Sequence, residues 1–515
     1  MAKKTSILWI DDEIETLFPH VKYLKDKDYN VETATNGYDA LDIIKENSFD
    51  LIFLDENMPG LSGLDTLLKI KELSPSTPVV MVTKNEEEHI MEQAIGAKIA
   101  DYLIKPVKPS QIVLCIKKQT ESNRLIQEAS QHSFQSQFQQ LIMQIMECRT
   151  FDDWAQLYQK LVYWELNLQN LKTLDDIHMT LKQEANSAFA KFIKKNYHDW
   201  ITNAETAPLM SNKVMSRRIL PMLENEEKII LIVIDNCRLD QWQTIETILS
   251  QDFKINTELY CSILPTATQY ARNAIFSGLM PLQIKQLYPD YWTDSDEESS
   301  QNQFENQLLG TFFERYRKRN ISYGYYKVND NEAGLRLLKI FPRYKQNNLN
   351  AFVYNFVDML SHARTDTKMI KELSQDEAAY RSITKAWFEH SPLYDLLMTL
   401  KHENVKIVIT TDHGAIRVNN PTKIVGDREI NTNLRFKTAK NLTYNPKDVF
   451  EIRKPEEIML PQNNLSSSYI FATNNDFFVY PNNYSHYVNL YNDTFQHGGI
   501  SMEEMIIPLA ILEAK

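Results

Sequence analysis

Near the start of the chain, short apolar runs alternate with amphipathic stretches of helical period. The apolar runs are residues 5–10, 50–54, 78–82 and 101–104. The amphipathic stretches are residues 14–26, 37–46, 63–73, 86–97 and 109–120. Short apolar runs of this kind are typical of strands that are buried on both faces of a parallel sheet. Because strand and helix patterns alternate, the sequence predicts a doubly wound α/β domain, which we place at residues 1–120.

The middle of the chain has a helical pattern. No glycine occurs between residues 97 and 277, and apolar side chains recur at helical spacing over residues 154–162. Sequences similar to capping boxes, at residues 150–153 and 173–176, predict the starts of two helices. We interpret residues 121–205 as a small helical bundle.

Buried-strand patterns return towards the end of the chain, and three of them lead to an aspartate. KIILIVID ends at Asp235, NAFVYNFVD at Asp358 and VKIVITTD at Asp412. Ligands of open α/β sheets gather at the carboxyl ends of the strands, so we expect the three carboxylates to meet at one edge. The pattern predicts an α/β/α domain at residues 206–515. Two insertions, roughly residues 282–350 and 415–495, are too long for simple loops and predict a cap.

The bulk composition excludes several classes of protein. The 515 residues carry a formal net charge of −12, and the sequence shows no helix-turn-helix signature, which argues against sequence-specific binding of duplex DNA. The four cysteines are scattered without the spacing of a disulfide framework or a metal site, as is typical of a reducing compartment. Neither a signal peptide nor an apolar run of membrane length occurs, so we expect a cytoplasmic protein that does not enter the membrane.

Histidines accompany the aspartates of the last domain in an ordered set. His362 follows Asp358 by one helical turn, His413 is next to Asp412, and His497 lies near the end of the chain. Aspartate and histidine without cysteine suit Zn²⁺ or Mn²⁺ in a catalytic site better than a structural zinc. The alternative for any one aspartate is an ordinary helix cap after a strand. The complete set favours a built metal site.

A candidate nucleophile lies between the first two of these strands. Thr266 and Thr268 stand where a loop enters a helix, and the helix amino terminus favours an anion there. A bound metal would lower the pKa of a threonine hydroxyl and make it nucleophilic. The alternative is an ordinary threonine cap, and the two roles can coexist. Arg272 lies one turn further on, where it can face either a phosphate or a carboxylate partner.

The first domain carries a second set of polar residues at its strand ends. Asp11 and Asp12 follow the first apolar run, Asp55 the second, Thr83 the third and Lys105 the fourth. Asp12 and Asp55 can hold a Mg²⁺ that neutralises an incoming phosphoryl group, with Asp55 as its acceptor. Thr83 offers a hydroxyl to the new phosphate, and Lys105 a counter-charge. The alternative is a flavodoxin-like domain whose acids only cap helices.

This set, together with LDENMPGLSG around Asp55, resembles the receiver domain of bacterial response regulators. The resemblance implies Mg²⁺ as the cofactor and a sensor histidine kinase as a partner. It also implies three assignments beyond those made from the strand ends. The carbonyl of Asn57 would complete the metal site, Tyr102 would occupy the aromatic switch position, and the Lys105–Pro106 bond would be cis.

The C-terminal set resembles the alkaline phosphatase superfamily, and within it the PglZ family. PTATQYARNAIFSGLMP is similar in spacing to the nucleophile segment of the threonine-using phosphodiesterase branch, which gives Thr268 the position of the nucleophile. The resemblance implies two metal ions. One ion would be held by Asp358, His362 and His497, and the other by Asp235, Thr268, Asp412 and His413. The sequence departs from that branch at LYPDYW, where a substrate-binding asparagine would be expected.

The order of receiver, helical bundle and PglZ-type domain resembles the PorX group of response regulators. The resemblance implies a zinc-dependent phosphodiesterase acting on nucleotides or oligonucleotides, a phosphorylation-dependent homodimer and a link to the type IX secretion system. A sigma factor or a secretion component is the downstream partner that it suggests. The alternative is a phosphorylation-controlled binding protein without enzymatic activity, in which the metal site orders a docking surface for a transcription or secretion partner.

Overall fold

A computed structural model of the chain describes most of its residues. They are residues 4–74, 77–83, 99–120, 122–168, 172–203, 205–225, 227–293, 302–366, 376–426, 432–462 and 467–515. The helix predicted over residues 86–97 lies outside this set. The chain divides into two compact units, Met1–Ser133 and Phe134–Lys515. Among the described helices, none is both long and apolar enough to span a membrane.

The first unit is a parallel sheet with helices on both faces. Its strands are β1 Ser6–Ile10, β2 Asn30–Ala34, β3 Leu51–Asp55, β4 Val79–Thr83 and β5 Asp101–Ile104. Its described helices are α1 Phe18–Asp26, α2 Gly37–Glu46, α3 Gly63–Leu73 and α4 Pro109–Thr120. The strand order is β2-β1-β3-β4-β5, with every pair parallel, and a separate apolar cluster packs on each face. This confirms the predicted doubly wound domain.

Strand β2 is an element that the sequence pattern missed. Only Val31 and Ala34 of its five residues are buried, because it lies at the edge of the sheet. The sheet edge that carries Asp55 is shaped by a close approach at Gly63. A Cβ at Gly63 would overlap the carbonyl oxygen of Asp55 and the backbone of Glu56, so only glycine lets α3 begin against the end of β3.

The second unit begins inside the first helix of the middle region, and the middle helices share a core with the domain that follows. The helices of the middle region are α5 Ser122–Glu147, α6 Phe151–Leu168 and α7 Lys172–Thr202. Trp154 and Tyr158 of α6 and Phe189 and Ile193 of α7 belong to the same buried cluster as the central strands of the C-terminal domain. Large apolar side chains on α6 and α7 therefore make the helical region part of the C-terminal unit.

A six-stranded sheet forms the centre of the second unit. Its strands are β6 Ile229–Ile234, β7 Phe253–Cys261, β8 Tyr323–Val328, β9 Leu349–Tyr354, β10 Lys406–Thr410 and β20 Ile506–Ala514. The order is β7-β20-β10-β6-β9-β8. Strands β10, β6, β9 and β8 are parallel, whereas β20 runs antiparallel to both of its neighbours. Parallel neighbours bring the carboxyl ends of β6, β9 and β10 to one edge.

Helices cover this sheet and lead into the site. They are α8 Leu220–Glu224, α9 Leu239–Leu249, α10 Thr268–Ser277, α11 Pro281–Leu287, α12 Glu305–Arg315, α13 Asn331–Ile340, α14 Phe356–Asp366, α15 Glu377–Glu389, α16 Pro392–Leu400, α17 Tyr484–Tyr491 and α18 Met502–Met505. One detail corrects the sequence reading of NAFVYNFVD. Strand β9 ends at Tyr354, so Asp358 lies in the first turn of α14 instead of directly after a strand.

The two predicted insertions differ in structure. Residues 282–350 supply helices and strand β8, which pairs with β9 and extends the central sheet. Residues 415–495 form small sheets of their own. Their strands are β11 Ile416–Val418, β12 Asn420–Lys423, β13 Val425–Gly426, β14 Phe436–Ala439, β15 Leu442–Thr443, β16 Val449–Ile452, β17 Ser468–Ala472, β18 Asp476–Val479 and β19 Thr494–Gln496.

Candidate metal centre and phosphoacceptor site

Three predicted ligands meet where β6 and β10 end side by side. Asp235 follows β6, and Asp412 and His413 follow β10, whose Thr410 is paired with Val233. The ligand atoms of the three residues lie within 4.8 Å of one another, and all three side chains are buried. His413 Nε2 lies 3.8 Å from Asp235 Oδ1 and 3.8 Å from Asp412 Oδ2. This first group has the size and chemistry of a divalent-metal site.

The other three predicted ligands form a second group beside the first. Asp358 and His362 lie one turn apart on α14, with 3.5 Å between Asp358 Oδ2 and His362 Nε2. His497 follows β19, and its Nε2 lies 3.7 Å from Asp358 Oδ1. The rings of His413 and His497 stack with their centroids 4.3 Å apart, so the two groups adjoin. The structure thus brings together all six aspartates and histidines of the predicted set.

The two buried imidazoles are oriented for metal binding by backbone carbonyls. His413 Nδ1 donates to Gly414 O at 3.1 Å, and His497 Nδ1 donates to Thr266 O at 3.2 Å. A carbonyl only accepts, so the proton is on Nδ1 and the lone pair of Nε2 faces the carboxylates. Burial lowers the pKa of His413 and, with neighbouring imidazoles, the pKa of His497. The carbonyl contacts and the direction of both pKa shifts favour the neutral imidazole that binds a metal.

The Asp412 carboxylate indicates a missing positive charge. Its Oδ1 accepts from the backbone N–H groups of Asn236 and His413, at 3.2 and 3.1 Å. Its Oδ2 is buried and has no hydrogen-bond partner among the described residues. Burial, and then the Asp235 carboxylate, raise the pKa of Asp412 well above its usual range. A buried carboxylate oxygen that accepts no hydrogen bond is costly even with the Arg272 guanidinium 3.7 Å away, and a divalent cation here would satisfy it, so the donor set fits a metal ion.

Arg272 lies behind the first group, in two short buried ion pairs and a longer one of 3.7 Å to Asp412 Oδ2. Its Nη1 is 2.5 Å from Asp235 Oδ2, and its Nε is 2.5 Å from Glu305 Oε1. Burial alone would raise the pKa of Asp235, but Arg272 and then His413 hold it below its ordinary value. The sequence left two partners open for Arg272, a phosphate or a carboxylate, and the structure shows it paired with carboxylates. This pairing occupies Asp235 Oδ2 and leaves Oδ1 facing the site.

The two candidate threonines have different surroundings. Thr268 begins α10, is only partly buried, and has its hydroxyl 3.1 Å from His413 Nε2 and 3.4 Å from Asp235 Oδ1. Thr266 is fully buried and donates to Gly499 O at 2.9 Å while accepting from Gly498 N at 3.0 Å. Thr268 thus faces the first ligand group, whereas Thr266 supports the turn after His497.

Sequence reasoning missed two asparagines in this site. Asn236 has a left-handed backbone (φ 60°), which asparagine tolerates better than most residues. Its Nδ2 donates to Asp358 Oδ1 at 3.1 Å while its backbone N–H binds Asp412, so it connects the two ligand groups. Asn302 donates to the carbonyl of Thr268 at 3.3 Å. An asparagine is therefore present beside Thr268 although LYPDYW contains none.

The first unit brings its predicted acids together as well. Ligand oxygens of Asp11, Asp12 and Asp55 lie within 4.8 Å of one another. Lys105 Nζ lies 2.7 Å from Asp11 Oδ2 and 3.0 Å from Asp55 Oδ1, and the Lys105–Pro106 peptide is cis, as expected. Burial raises the pKa of Asp55 to about 6, against the opposing hydrogen bond from Lys105. The cluster of acids around one lysine suits a cation-assisted phosphoryl transfer.

The remaining receiver residues lie around this cluster. Thr83 is buried at the end of β4, and its hydroxyl donates to Glu56, a residue that the sequence analysis did not single out. Asn57 is exposed just after Glu56, and Tyr102 on β5 is half-buried. Thr83 and Asn57 thus lie next to the acids, whereas Tyr102 pairs in register with Met81, two residues before Thr83. The roles of all three stay predictions.

Comparisons with known families agree with this arrangement of two sites. Residues 7–117 match the response regulator receiver domain, 124–201 the PorX response regulator linker domain, and 214–512 the BREX system PglZ alkaline phosphatase-like domain. The three matches define a response regulator whose output is an alkaline phosphatase-like domain. The chain belongs to the PglZ family and has the domain order of the PorX-type response regulators.

Individual relatives cover the receiver part of the chain. It is 35% identical over 133 residues to the transcriptional regulatory protein ResD of Bacillus subtilis, which is 26% of this chain and 52% of the relative. It is 37% identical over 119 residues to the alginate biosynthesis regulator AlgB of Pseudomonas putida, which is 23% of this chain and 27% of the relative. The chain thus spans about half the length of the first relative and about a quarter of the length of the second.

Solved receiver domains match the same region. The NtrX receiver domain of Brucella abortus is 31% identical, with 22% of this chain and 98% of that chain covered and a TM-score of 0.22. A CheY-like receiver domain from Methanospirillum hungatei is 27% identical, with 23% and 96% covered and a TM-score of 0.23.

Proposed function

We propose that this response regulator is phosphorylated on Asp55 by a sensor histidine kinase and that its C-terminal domain is a zinc-dependent phosphodiesterase. The observation that carries the second part is the pair of adjoining ligand groups with the Thr268 hydroxyl at 3.1 Å from His413 Nε2. Six ligands and a nucleophile at one sheet edge are more than a docking surface requires.

The residues divide into two metal sites. Asp235, Asp412, His413 and Thr268 would hold one ion, and Asp358, His362 and His497 the other. When bound, zinc or manganese ions supply Lewis acidity that lowers the pKa of a hydroxyl and offsets phosphate charge. Thr268 would lose its hydroxyl proton to solvent, and its Oγ would bond to phosphorus as the ester oxygen leaves and takes a proton from water. A water molecule would later cleave the bond between phosphorus and Thr268 Oγ.

A phosphodiester is the substrate class that the site supports best. The nucleophile segment is similar in spacing to that of the phosphodiesterase branch. Nucleotide or oligonucleotide diesters are our choice. Tyr270 of α10 packs against two other aromatic rings. Its ring centroid lies 5.6 Å from that of Trp292 and 5.7 Å from that of Phe436. These three rings belong to a local core, so bases would have to bind elsewhere.

The first test is metal content together with hydrolysis. We expect about two divalent ions per chain, roughly 4 Å apart as in other two-metal sites. His413→Ala should lose one ion and His497→Ala the other, because each removes a buried ligand, whereas His486→Ala on the exposed side of α17 should lose none. Elemental analysis of the purified full chain measures this.

Hydrolysis assays distinguish a phosphodiesterase from a non-enzymatic binding regulator. Bis-p-nitrophenyl phosphate and a short oligonucleotide serve as diesters, and p-nitrophenyl phosphate as the monoester, each with and without beryllofluoride. An apo-protein that refuses zinc and manganese at micromolar concentration would refute the metal assignment. Metal-loaded protein that hydrolyses none of these esters would favour the non-enzymatic binding regulator.

Phosphorylation should also convert a monomer into a symmetric dimer. Two apolar side chains of the first unit are exposed: Ile104 on β5 and Leu114 on α4, of which Leu114 is 70% exposed. Ile104 is two residues from Tyr102 in the sequence. Sedimentation velocity should show twice the mass after beryllofluoride addition, and Leu114→Glu should prevent the change. Leu68→Glu, on α3 of the same unit, is the matched control. One mass under both conditions would contradict dimerisation.

The wider setting rests on the family resemblance, except for the location, which rests on the sequence pattern. Control of type IX secretion, a sigma factor or secretion component as the partner, and a cytoplasmic location stay predictions.

A further inference from the structure

One helix of the middle region contacts the segments that carry the C-terminal site. Asn186 on α7 (Lys172–Thr202) is buried, and its side-chain oxygen accepts from Met502 N at 2.8 Å. Its Nδ2 donates to Glu503 Oε2 at 2.9 Å. These two bonds attach α7 to the start of α18, five residues after His497.

The attached segment in turn supports both buried histidines. Glu504 Oε1 accepts from Gly499 N at 2.8 Å, which fixes the turn that follows His497. Gly414 N donates to Glu504 O at 3.3 Å, and a Cβ at Gly414 would overlap the carbonyl of Glu503. His413 donates to the carbonyl of that same Gly414. A shift of Glu503 and Glu504 would therefore move the partner that orients His413.

A second connection runs through buried charges to the loop after Asp235. Lys182 on α7 lies 3.0 Å from Glu503 and 2.7 Å from Glu165 of α6. Glu165 binds Arg381, whose Nη1 lies 3.1 Å from Asp240 Oδ2.

Asp240 in turn holds Arg238, the third residue after Asp235, at 2.6 Å. All of these side chains are nearly fully buried. A chain of paired charges therefore joins α7 to the first ligand loop.

A third contact reaches the nucleophile segment. The buried hydroxyl of Tyr197 on α7 accepts from Leu264 N at 2.8 Å, four residues before Thr268. Helix α7 thus touches the loops of His497 and Thr268 directly, and the loop of Asp235 through paired charges.

Packing alone would not need such polar contacts. Replacing buried ion pairs by apolar side chains of similar volume is often neutral or stabilising, so a gain in stability does not explain these pairs. Hydrogen bonds at 2.7–3.0 Å from one rigid helix can hold separate loops in a common geometry.

We propose that Asn186, Lys182 and Tyr197 are positioning residues, through which helix α7 sets the geometry of the C-terminal metal centre. Helix α7 contributes no ligand, and a displacement of α7 changes the geometry of the ligands and with it metal affinity and rate. This inference rests on the proposed metal-dependent function.

The test compares two asparagines of the same helix in the full chain. Asn186→Leu removes the bonds to Met502 and Glu503. Asn196→Leu removes a bond to Phe192 O of its own helix and is the matched control. We expect Asn186→Leu to weaken binding of at least one zinc ion by about tenfold or more, as is usual for residues that orient ligands. It should also shift the visible spectrum of the Co²⁺-substituted protein, which reports ligand geometry, and Asn196→Leu should change neither.

A second variant covers the case in which Asn186→Leu does not fold. Tyr197→Phe removes a single oxygen, and we expect it to lower kcat with KM and metal content unchanged, because Leu264 precedes the nucleophile. A folded Asn186→Leu with wild-type zinc affinity and Co²⁺ spectrum, or a Tyr197→Phe with wild-type kcat and Co²⁺ spectrum, would overturn the proposal. Wild-type protein that binds no metal would instead overturn the proposed function itself.

Discussion

Thr268→Val should lower phosphodiester hydrolysis by several orders of magnitude and leave the metal content intact. Valine keeps the shape of threonine but has no hydroxyl to attack phosphorus, and loss of a nucleophile is among the largest single-residue effects in catalysis. The three residues of the first group, Asp235, Asp412 and His413, remain to hold the ion. Steady-state rates with a diester substrate and elemental analysis of the same sample measure both expectations.

Two variants serve as controls for this result. Thr268→Ser retains a hydroxyl and should keep much of the activity. Thr266→Val should be milder than Thr268→Val in rate, because the Thr266 hydroxyl is buried against Gly498 and Gly499 and does not face the metal ligands. Its main effect should be on stability, since it leaves a buried N–H group without an acceptor, at a cost of about 1–3 kcal/mol.

The same experiment can fail in two informative ways. Full diesterase activity in Thr268→Val would overturn the nucleophile. Strong monoesterase activity of the wild type without diesterase activity would overturn the substrate class and leave the metal centre standing.

Asp55→Asn should abolish labelling of the chain by acetyl phosphate or by its kinase. Asp55 ends β3, and its carboxylate meets Asp11, Asp12 and Lys105 at one sheet edge. The amide of asparagine cannot form an acyl phosphate, so we expect no incorporated phosphate. Intact-mass measurement after incubation with acetyl phosphate and Mg²⁺ detects the added group.

A matched exchange elsewhere in the same unit controls for folding. Asp42 lies on the exposed surface of α2, where its partner is Lys45. The Asp42→Asn variant should be labelled like the wild type. Labelling of Asp55→Asn at the wild-type stoichiometry would place the acceptor on another residue. Asp55→Ala should behave as Asp55→Asn, because it too lacks the carboxylate.

Several parts of this protein could be predicted because they depend on local pattern. Strands buried on both faces must be apolar at every position, so the runs that became β1, β3, β6 and β10 were visible in the sequence. Parallel strands end at a common edge, so the residues after them could be grouped before any distance was known. Family resemblance then divided the ligands between two ions.

Elements with weaker patterns were missed or misplaced. Strand β2 lies at the sheet edge, and its polar positions face solvent, so its composition is not that of a buried strand. The sequence predicts Asp358 at a strand end because NAFVYNFVD is apolar apart from its two asparagines and the final aspartate. An apolar run does not reveal where a buried strand gives way to a buried helix, and here the change comes after Tyr354.

Only the tertiary structure decided which charges are paired and which helices belong to the site. Glu305 comes from α12, and nothing in the intervening sequence indicates that it binds Arg272. Asn186 precedes the strands of the central sheet in the chain, yet it binds Met502 and Glu503 near the chain's end. This contact forms because α7 shares a core with the C-terminal strands. Such contacts depend on how the chain crosses between layers. Local periodicity records the burial of each segment, but it does not record which distant segment covers it.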